Sequence, residues 1–267
     1  MKELVERIMF SLNTGSESSR SEDIVDDGSA TVEQRRRKPM TVSRVLRRIV
    51  RVGFGLILLW VGAVFWLGLL YWAVPPVSTL MIGRWATLRP VERSFVPLDA
   101  ISPNLPLAVM TSEDSRFCTH TGVDWDALRE VVEAADEDGP ARGASTIPMQ
   151  TAKNLFLWNG RSYLRKGLEL PVALYLDLIW SKDHMMQTYL NIAEWGDGIF
   201  GAEAAAQHYF GKSARTLTRR EAALLATALP NPLMRNPGRP KAGHARMATR
   251  IMGRMANAAP PSDCLKG

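Results

Sequence analysis

Two cysteines in 267 residues, Cys118 and Cys264, are too few for a disulfide framework, and their separation along the chain leaves open whether they pair. No internal repeat is visible and strand signals are weak, which excludes repeat architectures and argues against a β-rich fold. Charge of one sign is not in large excess either: 33 Lys+Arg stand against 27 Asp+Glu, for a net +6. Eight of those basic residues fall in seventeen positions, at Arg35, Arg36, Arg37, Lys38, Arg44, Arg47, Arg48 and Arg51. The balance therefore reports a local cluster and not a nucleic-acid-binding face. With 46% hydrophobic residues the chain is neither collagen-like nor wholly disordered, and it can build one well-packed domain or two small ones.

Long hydrophobic runs are also scarce, and one stands out. Val52 to Val74, VGFGLILLWVGAVFWLGLLYWAV, carries no charge over 23 residues. As a helix it reaches about 35 Å, enough to cross a bilayer core, with Tyr71 and Trp72 suited to the interface. It begins too far from the start for a cleaved signal peptide and leads into Pro75-Pro76, so it reads as a retained anchor. The basic cluster precedes it, against Arg84, Arg89 and Arg93 beyond it, which predicts residues 1–51 in the cytoplasm and the remainder exported. Residues 11–34 are rich in Ser, Glu and Asp and poor in large apolar side chains, the composition of a disordered tail.

Beyond Arg84 the apolar spacing is mostly helical. Asp124, Ser181 and Thr218 are placed to cap helices, Thr218 with Glu221 at capping-box spacing, while 136–143 (DEDGPARG) reads as a loop. Three clusters carry polar chemistry. Glu113 and Asp114 end an apolar helix ahead of Phe117, His120 and Gly122; they fit a general base or solvated helix-end charges. Cys118, His120 and Asp124 have metal-ligand chemistry without the second paired motif of a zinc site. Ser145 and Thr146 lead through Pro148 into a helix with Gln150, Lys153 and Asn154 on one face, a seat for phosphate or sugar or an ordinary solvated face. Arg165 and Lys166 stand four and three residues before Glu169, where surface ion pairs would look the same. Met149, Met185, Met186 and the aromatics beside His208 read as core.

Taken in order, EDSRFCTHTGVD, RGASTIPMQTAKNLFL, RKGLE, YLNIAEWGDGIFGAEAAAQHYFGKS and LTRREAALLATALPNP resemble the bacterial peptidoglycan glycosyltransferase family (family 51), in its monofunctional membrane-anchored form. The resemblance spans roughly Asp99 to Pro237. It implies a mainly α, lysozyme-like glycosyltransferase domain preceded by a single transmembrane helix, which divides the chain into a cytoplasmic tail (1–51), the membrane helix (52–74), the catalytic domain (84–240) and a C-terminal extension (241–267). The thirty or so residues after Pro237 are too few for a transpeptidase domain, so polymerisation without cross-linking is expected.

By the same resemblance Glu113 matches the catalytic glutamate and Glu169 the second glutamate, near the donor diphosphate. Lys153, Arg161, Arg165 and Lys166 fall on cationic positions around that diphosphate, while Asp114, Ser145, Thr146, Gln150 and Asn154 fall on polar positions of the cleft. Met149 stands where many members carry a first glutamine. The implied partners are lipid II, the lipid-linked glycan chain, the inner membrane and other cell-wall synthesis proteins. No nucleic acid is implied, no cofactor is fixed, and the donor diphosphate leaves room for a divalent cation (Mg). Two rival readings share these features: a lytic enzyme of the same fold, and a catalytically silent scaffold.

Overall fold

The computed structural model describes residues 42–134, 143–160, 162–258 and 260–265. The expected tail and most of the expected loop at 136–143 lie outside these, as does Arg161. Among the described residues the chain is mostly helical, with one helix long and apolar enough to cross a membrane. That helix, α1 (Val42–Leu70), begins inside the basic cluster and stops before Tyr71, with 71–73 in a turn. Its C-terminal half is fastened to the rest of the chain. The Trp180 indole donates to the Gly68 carbonyl at 2.9 Å, the Tyr175 hydroxyl to Phe65 at 2.7 Å, and the Trp60 indole to Phe156 at 3.3 Å.

After α2 (Thr79–Ala86), two helix groups build the core. In the first, α3 (Asn104–Glu113) packs against α9 (Arg219–Ala228) and α10 (Ala242–Met255). In the second, α5 (Ile147–Phe156) packs against α6 (Tyr163–Ile179) and α7 (Lys182–Ile192). The short α4 (Trp125–Ala134) follows the first motif, and α8 (Ala202–Phe210) follows a small sheet. In that sheet β1 (Glu92–Arg93) pairs in parallel with β3 (Ile199–Phe200), and β2 (Glu194–Gly196) pairs antiparallel with β3 on its other side. Met149, Met185 and Met186 are fully buried, as the sequence suggests, together with Leu105, Phe117, Tyr189 and Trp195.

The capping signals are used. Asp124 accepts from Ala127 N, Ser181 from His184 N, and Thr218 forms a full capping box with Glu221. Gly122 has φ of 76° and lies so close to α6 that a Cβ would stand 2.9 Å from the Ala173 carbonyl oxygen, so both backbone freedom and missing bulk are needed there. The cysteines are joined: Cys118, within the first motif, is disulfide-bonded to Cys264, 146 residues away, beside the buried Leu265. A bridge closing so long a loop restricts the unfolded chain strongly. Cys264→Ser should therefore lower the unfolding free energy by about 2–5 kcal/mol, read by denaturant unfolding with and without reductant. Equal stability of oxidised and reduced wild type would contradict this.

Candidate active site

Glu113 is the last residue of α3 and stands on the wall of a cavity of about 590 Å³. Ser115, Pro230, Ala144, Ser145 and Gln150 are among the residues that line it with Glu113. The Glu113 carboxylate is half-buried, and that burial raises its pKa. Two donors fix its aim: Ser112 Oγ donates to Oε1 at 3.0 Å and Gln150 Nε2 to Oε2 at 3.4 Å. Behind Gln150 the Tyr189 hydroxyl donates to its Oε1 at 2.9 Å; burial holds the phenol well above its ordinary pKa, so it remains a donor. The charges of Arg235 and Lys153 act in the opposite sense and favour the ionised carboxylate. The result is an aimed carboxylate that no ion pair engages among the described residues.

Asp114, next in sequence, is spent inside the protein. It is buried, His120 Nε2 stands 2.9 Å from both of its oxygens, and Oδ2 also accepts from Ile147 N at 2.9 Å. It thus ties the end of α3 to the start of α5. Thr146 is likewise committed: it caps α5 by accepting from Met149 N and donates to the Gly122 carbonyl at 2.6 Å. These two of the expected cleft residues support the cleft wall, whereas Ser145 and Gln150 present polar atoms to it. Met149 points into the core with no exposed surface, so on this helix Gln150 faces Glu113 and a side chain at 149 does not.

The third cluster is not a surface ion-pair array. Glu169 is 2% exposed, and both of its oxygens are occupied: Arg165 Nη1 donates to Oε1, and Lys166 Nζ to Oε2 at 2.7 Å. Arg165 Nε also donates to the Gly160 carbonyl at 2.8 Å, and Lys166 reaches across to Ser145 Oγ, joining this cluster to the cleft. Lys153 is half-buried and makes no hydrogen bond or ion pair through its ammonium among the described residues. Its pKa is lowered, first by burial, while Glu169 and Glu113 raise it and Arg165 and Lys166 lower it. Lys153 therefore lies in the field of both glutamates. Three cations, Lys153, Arg165 and Lys166, against the single charge of Glu169 leave a net of +2. Asn154 is on the same helix as Lys153, and its carbonyl accepts from Thr79 Oγ1 at 3.1 Å.

Among the described residues no group of three or more His, Cys, Asp or Glu side chains could hold a metal ion. Cys118 is in the disulfide, Asp124 is paired with Arg116, and His120 with Asp114, which disposes of the zinc alternative. At the cationic cluster the one carboxylate is already neutralised, so the donor set does not by itself fit a divalent cation.

Residues 81–256 match the sequence profile of the Transglycosylase family. The chain belongs to that family. Proteins called biosynthetic peptidoglycan transglycosylase are similar to it over most of their length. The one from Brucella suis biovar 1 (strain 1330) is 55% identical over 193 residues, 72% of this chain and 86% of the relative. The one from Agrobacterium fabrum (strain C58 / ATCC 33970) is 58% identical over 175 residues, 66% and 77% of the two chains. The one from Rhodopseudomonas palustris (strain HaA2) is 49% identical over 215 residues, 80% and 95%. As a transglycosylase the chain is a glycosyltransferase enzyme, and the cleft around Glu113 is where this fold places an aimed carboxylate. Sequence reasoning missed Tyr189 and Arg235. Tyr189 opens the fourth motif and Arg235 lies past the fifth, but neither has a local signal for its role, since each reaches the site only through tertiary packing of α7 and of the segment after α9.

Proposed function

We propose that this peptidoglycan transglycosylase polymerises glycan by joining lipid II units through β-1,4 bonds, releasing undecaprenyl diphosphate, without transpeptidation. The observation that carries this is the pairing of one aimed carboxylate, Glu113, with a cationic seat of net +2 beyond the Gln150–Lys153 face. In the proposed step the acceptor sugar's 4-hydroxyl attacks the anomeric carbon of the donor. Glu113 takes the hydroxyl proton, the bond from the anomeric carbon to the diphosphate oxygen breaks, and its electron pair leaves with the diphosphate. Attack opposite an α-linked leaving group gives the β configuration.

A diphosphate departs as a stable anion if its charge is met by cations, which Lys153, Arg165 and Lys166 can supply. A hydrolytic glycosidase instead needs a second carboxyl group free to protonate the leaving oxygen. Glu169 is held by Arg165 and Lys166 on both oxygens, which favours transfer over hydrolysis. Its proposed role is to position those two cations. Against finished, purified cell-wall sacculi the protein should release no soluble glycan fragments, and against lipid II it should consume substrate. Fragment release from sacculi would instead establish the lytic reading.

The lipid tails of both substrates call for a membrane-side enzyme. Leu174 and Leu178 on α6, the helix whose Tyr175 bonds α1, and Ile82 and Trp85 on α2, the next helix after α1, leave apolar side chains exposed, as a domain resting in the bilayer interface would. We propose residues 1–51 in the cytoplasm and the catalytic domain in the periplasm of a bacterial inner membrane. The asymmetry of the flanking basic residues supports this, with eight Lys/Arg between Arg35 and Arg51 against Arg84, Arg89 and Arg93 beyond the apolar run. So does the Cys118–Cys264 bridge, which belongs in an oxidising compartment. Alkaline phosphatase fused after Gly267 should be active in cells; an inactive fusion there with an active one at Ser29 would reverse the topology.

A further inference from the structure

Beside the main cleft lies a second cavity of about 370 Å³, within the usual size of small-ligand sites. Its floor is apolar, from Leu107 and Met110 on α3, and its outer wall is Asn257 and Ala258, just beyond α10. The cavity is stapled: Cys118 lines it and is bonded to Cys264, next to the buried Leu265. Thr111, Ser115, Arg116 and Arg254 line both cavities, so the second opens at the rim of the first, on the Glu113 side. The two arginines there differ. Arg116 is paired with Asp124 and with Asp126, at 3.1 Å for the latter, whereas Arg254 makes no ion pair among the described residues.

We propose that this second cavity is a subsite for the short peptide stem carried by the sugar substrate, with Arg254 taking a stem carboxylate. The inference rests on the polymerase reading above, and the chemistry points to this occupant on three counts. The cavity adjoins the place at Glu113 where the acceptor hydroxyl meets the donor's anomeric carbon, and the ring that carries that carbon is the one that bears the stem, so the stem can reach it. Its apolar floor suits small aliphatic side chains, and its rim of Thr111, Ser115, Thr119 and Asn257 suits peptide amides. The unpaired guanidinium supplies the counter-charge for a free carboxylate. The diphosphate seat, by contrast, is built by Lys153, Arg165 and Lys166, none of which lines this cavity.

The test uses the full-length chain in detergent with two lipid-linked disaccharides, one with the intact pentapeptide and one cut back to a single alaninamide, which has no carboxylate. Arg254→Ala should raise KM for the pentapeptide substrate by about two- to fivefold with kcat unchanged, the effect of losing one solvent-accessible ion pair. For the alaninamide substrate wild type and variant should have the same KM. Ala258→Trp, which fills the cavity without altering charge, should likewise raise KM for the pentapeptide substrate alone. Unchanged KM in both variants on the pentapeptide substrate, or an equal loss on both substrates, would overturn the subsite and leave the polymerase reading intact. Failure of the wild type to polymerise either substrate would overturn the polymerase reading and the subsite with it.

Discussion

Glu113→Gln should lose polymerisation by a factor of about 100 or more while still binding lipid-linked substrate. The amide keeps the size of the side chain and can still bond Ser112 or Gln150, but it cannot accept the acceptor's proton. The same burial that prepares the base sets a pH dependence. Because burial raises the Glu113 pKa, the acid limb of the wild-type rate should lie above the ordinary carboxylate value. The sign for stability is the reverse of the usual carboxylate case. A pKa raised on folding means that Glu113's contribution is fully present below its unfolded pKa and is lost as pH rises through its folded pKa. Glu113→Gln should therefore be at least as stable as wild type at neutral pH, which circular dichroism melting checks. A folded variant with near-normal polymerisation would remove Glu113 from the chemistry.

Lys153→Ala should slow turnover severely, by about 100-fold, because a cation facing a departing diphosphate counts mainly in the transition state. Lys153 is the one cation of the three that no carboxylate holds among the described residues, so its charge is the most available to the leaving group. Folding should survive, since the half-buried ammonium costs desolvation that alanine avoids. Lys153→Arg should restore part of the rate if charge is what matters. Unchanged turnover in a folded Lys153→Ala would return Lys153 to the status of a solvated side chain.

The sequence made the helices and their starts legible, because caps and apolar periodicity are local: Asp124, Ser181 and Thr218 sit within three residues of what they bond. The burial of Met149, Met185 and Met186 was legible for the same reason. What the residues alone left open was whether polar groups face water or each other. Asp114 is committed by a partner 33 residues on, Ile147 N, and the buried state of Glu169 follows from packing of α6 that spacing does not encode. A surface pair and a buried triad share the sequence RKGLE. The Cys118–Cys264 bridge, spanning 146 residues, is of the same kind, as are Tyr189 behind Gln150 and Arg235 near Glu113. The order of the motifs carried the family; their geometry commits Asp114 and Thr146 to internal hydrogen bonds and leaves Glu113 on the cleft wall, with Lys153 held by no carboxylate among the described residues one turn beyond Gln150 on α5.

The most direct measurement incubates purified full-length protein with lipid II and quantifies polymer and released undecaprenyl diphosphate together. The account predicts a glycan that a muramidase digests to β-1,4-linked disaccharide units, with one undecaprenyl diphosphate released for each bond formed. Diphosphate release without polymer, or disaccharide freed by water in place of chain growth, would contradict it.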